Sequence, residues 1–148
     1  MRRSTILATT VVAAIALTGI IATTGGAKPT PRTRTIHLTL VQTGGFDSPG
    51  APRPGFVHAF TDRVTSDDGG KGHDVGLCTL ISSRKLLCHS QVILTTGQLS
   101  LQGVLHEHDH NTPGTIIGGT GAYNGARGTT HLTDVNPTTA KVTITLVR

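Results

Sequence analysis

From Thr35 onward, apolar residues recur at every second position in short runs, and clusters of Gly, Pro, Asp and Ser stand between the runs. Ile36, Leu38 and Leu40, for example, alternate with His37, Thr39 and Val41, which makes one side of an extended segment apolar. An amphipathic helix needs a period of 3.6, and no stretch after residue 34 supplies it. Breakers over 44–55, including Pro49, Pro52 and Pro54, and the turn Ser66-Asp67-Asp68-Gly69-Gly70 separate the runs. The pattern predicts eight strands, the first from residue 35 and the others over 56–64, 71–81, 86–94, 98–107, 115–118, 123–135 and 140–147. An all-β antiparallel barrel or sandwich follows, and periodicity does not separate the two.

The N-terminus reads differently. Met1-Arg2-Arg3, the apolar run over 6–22 and the small residues Thr23-Thr24-Gly25-Gly26-Ala27 have the zones of an export signal. Residues 1–27 are therefore expected to be a signal peptide cleaved after Ala27, leaving a secreted, extracellular protein with no membrane attachment. Residues 28–34, with Pro29 and Pro31, read as a flexible lead-in to one domain over 35–148. About 121 residues would remain, enough for a single modest core. The formal charge of +5 falls to +3 once Arg2 and Arg3 are removed, because eleven Lys/Arg then face eight Asp/Glu. The remaining cations are scattered and the aromatics are only Phe46, Phe56, Phe60 and Tyr123. No basic stripe with stacking platforms exists, so nucleic acid is not an expected partner.

Cys78 and Cys88 flank Ser82-Ser83-Arg84-Lys85. Pairing two strands symmetrically about Ser83 sets the cysteines opposite one another and Leu80 opposite Leu86. A cross-strand position has the separation that a disulfide requires, and export places the chain where the bond persists. A Cys78–Cys88 disulfide is expected, with a stabilising and not a chemical role.

Small residues punctuate the segment Ile116-Ile117-Gly118-Gly119-Thr120-Gly121-Ala122-Tyr123-Asn124-Gly125-Ala126-Arg127-Gly128-Thr129, where they allow close backbone approach. It is not a dinucleotide fingerprint, since Asn124 stands where the third glycine belongs and no helical period follows. The segment resembles the I-x-G-G-T-G-x-Y/F-x-G-A-R-G signature of the allene oxide cyclase and dirigent superfamily. Phe60-Thr61-Asp62, Asp68-Gly69-Gly70, Val75-Gly76-Leu77-Cys78, Cys88 and Gly97-Gln98-Leu99-Ser100-Leu101-Gln102-Gly103 extend the resemblance to the bacterial branch, over about residues 56–147. It implies a closed eight-stranded antiparallel β-barrel, calycin-like, with a small apolar cavity and assembly as a homodimer or homotrimer. It also implies that a reactive small molecule is taken in and steered through cyclisation or coupling without a cofactor. The choice of barrel over sandwich rests on this resemblance.

The candidate site residues follow from strand parity and from the motif. Phe56, His58, Phe60 and Asp62 share one face of the second strand, and the two phenylalanines suggest that this face points inward. Four residues of strand hold His58 and Asp62 about 13 Å apart, so they act separately: His58 as a general base, Asp62 to orient or polarise a substrate. The plainer alternative has Asp62 capping a turn or pairing with Arg127 at the rim. In a seventh strand regular from Tyr123, the residues Tyr123, Gly125, Arg127, Thr129 and His131 lie on one face, and a bulge at Gly125 would shift that parity. The motif makes Tyr123 a ligand-binding candidate beside Phe56 and Phe60, and Arg127 a catalytic one that stabilises negative charge on an oxygen. Their plainer roles are aromatic cover for the glycines and a structural hydrogen-bond clamp.

His106-Glu107-His108-Asp109-His110 has metal-ligand residue types at strand spacing, but it falls in an expected loop before Asn111-Thr112-Pro113-Gly114. No resident metal is expected there, only adventitious Ni or Zn. No Gly-x-Ser-x-Gly elbow occurs, and Glu107 is the single glutamate, which disfavours a serine hydrolase and a paired-glutamate glycosidase. Three functions remain: a cofactor-free isomerase or cyclase acting on a small apolar molecule, a non-catalytic carrier, or a surface-interaction protein with a packed barrel.

Overall fold

The computed structural model describes residues 32–106 and 109–147. The expected signal peptide, residues 28–31 of the lead-in, and Glu107 and His108 of the histidine run lie outside the described residues.

Eight strands follow in chain order: β1 (Thr33–Asp47), β2 (Val57–Ser66), β3 (Lys71–Ser82), β4 (Lys85–Leu94), β5 (Gly97–His106), β6 (Asn111–Gly119), β7 (Arg127–Asn136) and β8 (Thr139–Val147). Each pairs antiparallel with the next, and β8 returns to β1 with Ile36 opposite Ile144 and Leu38 opposite Val142. The sheet is a closed barrel, as the resemblance implies, in which every strand has a paired neighbour on both sides. A two-layer sandwich is ruled out.

Alternation decides which residues fill the barrel. Ile36, Leu38 and Leu40 of β1, Val64 of β2, Val92 of β4, Leu99 of β5, Ile116 of β6 and Val142, Ile144 and Leu146 of β8 form one buried cluster, joined by Tyr123 and Ala126. Thr61 and Arg63 point to solvent, so the inward face of β2 is the one that parity predicted. Cys78 pairs with Cys88 and Leu80 with Leu86, and the two cysteines are joined in a disulfide. Symmetry about the turn placed them correctly, with one irregularity between Leu80 and Ser82.

Three boundaries differ from the sequence expectation. β1 runs on to Asp47 through a bulge between Gln42 and Gly44, where glycines suggested a loop. β6 starts at Asn111 and passes through Pro113. The β5 ladder reaches only the Gly103–Gly114 pair, so at Pro113 no partner on that side needs the missing N–H. β7 starts at Arg127, because the chain first makes a 3-10 turn over Gly121–Tyr123. The regular parity over 123–131 is thereby corrected: Tyr123 is buried from the turn, while Arg127, Thr129 and His131 are exposed. Glycine at 128 is what lets β7 lie against β8, since a Cβ there would sit 1.9 Å from the Thr145 carbonyl oxygen.

Candidate functional site

The interior of an eight-stranded barrel is just wide enough for side chains to fill it, so the size of the inward residues decides whether a level is solid or hollow. At the end where β1 begins, Ile, Leu and Val fill it. Toward the other end the inward positions become Asp62 on β2, Asp74 and Gly76 on β3, Ser90 on β4, Gly103 on β5, Thr112 and Gly114 on β6, and Thr130 on β7. These are too small to meet across the axis. A cavity of about 130 Å³ remains, walled on its apolar side by Leu40, Phe60, Val92, Leu101, Leu132 and Val142. It continues into a mouth of about 200 Å³ lined by Gln42, His58, Asp134, Asn136 and Thr138, with Leu40, Phe60, Asp62, Leu105 and Ala140 shared by both.

Two carboxyl groups meet in this hollow. Asp62 and Asp74 are opposite one another in the β2–β3 register, and both line the cavity. Asp74 is 3% exposed. Burial pushes its carboxyl up to about 6; the Ser90 hydroxyl, which donates to it, works against the rise, and the Asp62 charge adds to it. Its Oδ1 has no hydrogen-bond partner. The Asp62 carboxyl is also raised, chiefly by burial and partly offset by His58. A polar atom left bare inside a protein costs free energy, so the fold carries Asp74 at a loss unless something occupies the cavity.

His58 stands at the mouth, half-buried, with Nδ1 2.6 Å from Asp47 Oδ1. Its ring stacks on Phe60 at 6.3 Å between centroids. Phe60 in turn lies over Gly76, where a Cβ would come within 2.5 Å of the ring and 2.6 Å of the His89 carbonyl oxygen. Glycine at 76 thus lets an aromatic wall lean across β3, a cross-strand cover of the kind that edge glycines receive.

Of the residues predicted from sequence, the structure gathers His58, Phe60 and Asp62 at the hollow end. Phe56 precedes β2, half-buried, and lines neither the cavity nor the mouth. Tyr123 and Arg127 lie at the opposite end. Val147 pairs with both Arg127 and Thr33, and Gln42 pairs with Asp62, which leaves nine residues of β1, on the order of 30 Å, between the two levels. No Asp62–Arg127 pair forms across that span. Tyr123 closes the solid end, its hydroxyl 3.4 Å from Thr96 Oγ1 and the Arg34 guanidinium 6.0 Å from its ring. Arg127 donates from Nη1 to the Ala126 carbonyl at 2.7 Å. Neither side chain lines the cavity or its mouth. In the histidine run, His110 Nδ1 is 3.9 Å from Asp134 Oδ2, and among the described residues no group of three or more His, Cys, Asp or Glu side chains is placed to hold a metal ion.

Sequence reasoning missed Asp74 and Ser90. The available signal was parity: Asp74 is an even number of residues from Cys78 on β3, as Ser90 is from Cys88 on β4, so a disulfide drawn inside the barrel brings both with it.

No family model and no curated protein matches the sequence. Solved structures do match in three dimensions. The pterocarpan synthase dirigent protein GePTS1 superposes with a TM-score of 0.66 at 19% identity, covering 86% of this chain and 98% of that one. AbnU, an exo-specific intermolecular Diels-Alderase, gives 0.64 at 14% identity over 79% of this chain and 99% of its own. A pyocyanin demethylase gives 0.63 at 21% identity over 78% and 99%. At these identities what is shared is the fold. The chain shares the closed-barrel fold of these proteins, and its segment 116–129 forms the end of β6, the 3-10 turn and the start of β7.

Proposed function

We propose that this protein is a secreted barrel that binds a small, mostly apolar molecule in its hollow end and steers that molecule's cyclisation or coupling without a cofactor. The observation that carries the reading is the division of the barrel: solid aliphatic packing at one end, and at the other an apolar cavity into which two carboxyl groups project. Sites of this composition, apolar walls with a few convergent polar groups, are the usual form of a small-molecule pocket. The packed-barrel alternative loses support for the same reason. An engineered cavity of similar volume, about 150 Å³, accommodates benzene, so the deep part suits one ring and the mouth suits its substituents.

In such a site the walls do most of the work. Leu40, Phe60, Leu101 and Leu132 hold a folded conformer and keep water from it, which favours ring closure by removing conformational freedom before reaction. Asp74 exchanges its proton near neutral pH and is placed to give a proton to, or take one from, a bound polar atom. Similarity of fold to a dirigent protein and a Diels-Alderase supports steering chemistry, and the Cys78–Cys88 bond supports an oxidising location outside the cytoplasm.

The test is a titration with toluene or naphthalene, followed by amide chemical shifts. Shifts are expected at Leu101, Thr112 and Thr130, and Ala140→Phe, which fills the neck between cavity and mouth, is expected to abolish them while the barrel spectrum persists. Binding that survives in Ala140→Phe, or shifts that cluster away from these residues, would refute the reading.

A further inference from the structure

The charges inside the hollow end are all of one sign. Asp62 and Asp74 line the deep cavity, and Asp134 joins them at the mouth. Among the described residues lining either space the single titratable group of the other sign is His58, and its Nδ1 is engaged by Asp47. Arg63 and His73, sequence neighbours of the two carboxyl groups, point out of the barrel. The remaining elements around Asp74 contribute no charge: Val92 and Ser90 from β4, Leu101 from β5, Thr112 from β6, Thr130 and Leu132 from β7, Val142 from β8 and Leu40 from β1. Asp74 therefore carries an acceptor atom that nothing in the protein satisfies, buried beside a second carboxyl and facing a cavity.

We infer that the ligand class of this cavity is a small organic cation, a protonated amine on an apolar ring or chain, held with its N–H toward Asp74 and Asp62. The inference rests on the pocket reading above and narrows it. A cation with one N–H for Asp74 Oδ1 satisfies the orphaned acceptor and offsets a negative charge at once. A neutral hydroxyl satisfies only the first, and a carbonyl ligand satisfies neither unless the carboxyl is protonated. A bare metal ion suits the site poorly, because among the described residues no three His, Cys, Asp or Glu side chains converge to hold one.

Benzylamine, benzyl alcohol and toluene share a ring and differ in the group that would reach the carboxyls. Their dissociation constants are to be measured by amide-shift titration of the full barrel at about pH 7.5 and about pH 4.5, on either side of the Asp74 titration, with the amine charged at both. Benzylamine is expected to bind at least about tenfold more tightly than benzyl alcohol at the higher pH. That preference is expected to collapse at the lower pH and in Asp74→Asn, and to shrink in Asp62→Asn. Both variants keep side-chain volume, and toluene binding reports whether each still has its cavity. Equal or tighter binding of the alcohol at the higher pH, tighter amine binding on acidification, or a preference undiminished in Asp74→Asn would overturn the inference. If toluene and benzyl alcohol bind and benzylamine does not, the cation falls and the pocket stands. If none of the three binds, both fall.

Discussion

Asp74 sets a pH dependence on the stability of the barrel, and its sign is fixed by the direction of its shift. The folded carboxyl titrates at about 6 and the unfolded one near 3.8, so between those values the folded chain holds the proton that the unfolded chain has released. Stability from this residue is greatest below the unfolded value, falls as pH rises through the window and stays low above it. A rise of this size corresponds to about 3 kcal/mol. Urea unfolding at about pH 4.5 and about pH 7.5, the lower value already inside the window, is expected to show wild type losing stability relative to Asp74→Asn by about two-thirds of that amount. Asp68 works in the opposite sense at lower pH, because the Ser66 hydroxyl, ahead of the Gly70 amide, holds its carboxyl down. Comparing the variant with wild type at each pH isolates Asp74 from it; equal differences at the two pH values would mean that Asp74 is already partnered. Asp62 was legible from sequence because two phenylalanines marked its face as inward. Asp74 was legible only through its parity with Cys78, because its inward neighbours Gly72 and Gly76 carry no hydrophobic signal.

At the level of elements, the β3–β4 hairpin was the most legible part of the chain, since two cysteines and two leucines impose one register on the turn between them. The bulge between Leu80 and Ser82 leaves that register intact up to Leu80–Leu86. The disulfide spans ten residues of chain and so restricts the unfolded state modestly. Reduction is expected to lower unfolding stability by about 2–3 kcal/mol without changing the strand register, checked by urea unfolding with and without reductant and by the amide spectrum. Loss of the β3–β4 cross-strand pattern on reduction would give the bond a folding role instead. Less was legible where glycine and proline were read as breakers. Gly44 and Gly45 sit in a bulged continuation of β1, and Pro113 sits in β6 where β5 has already parted from it. Conversely, the apparent continuity of 123–135 concealed the turn that brings Tyr123 inward. Local propensity was overridden in each case by what the neighbouring strand required of the backbone.

Across the whole molecule, the change from aliphatic to small and polar inward residues makes one barrel into two regions of different stability. Around Leu38, Val64, Val92 and Ile144 every strand is paired on both sides and the interior is filled. Toward the other end β5 keeps β4 as far as the Lys85–His106 pair, but its pairing with β6 stops at Gly103–Gly114. Gly103, Leu105, Pro113 and Gly114 at that gap all line the cavity, so the seam is also the lateral wall of the pocket. Amides at the solid end can exchange with solvent only when the barrel opens globally, whereas those bordering the seam need only local separation of two strands whose facing interior is hollow. Hydrogen exchange is therefore expected to be at least about a hundredfold faster for amides of 103–105 and 112, 114 and 115 than for Leu38, Val64 and Ile144. Because the same seam borders the cavity, a bound ring that fills the hollow is expected to slow exchange there and to leave the solid end unchanged. Uniform protection around the barrel would place ligand entry at the mouth formed by Gln42, His58 and Asn136 alone, and protection that rises equally at both ends would mean that the two regions unfold as one.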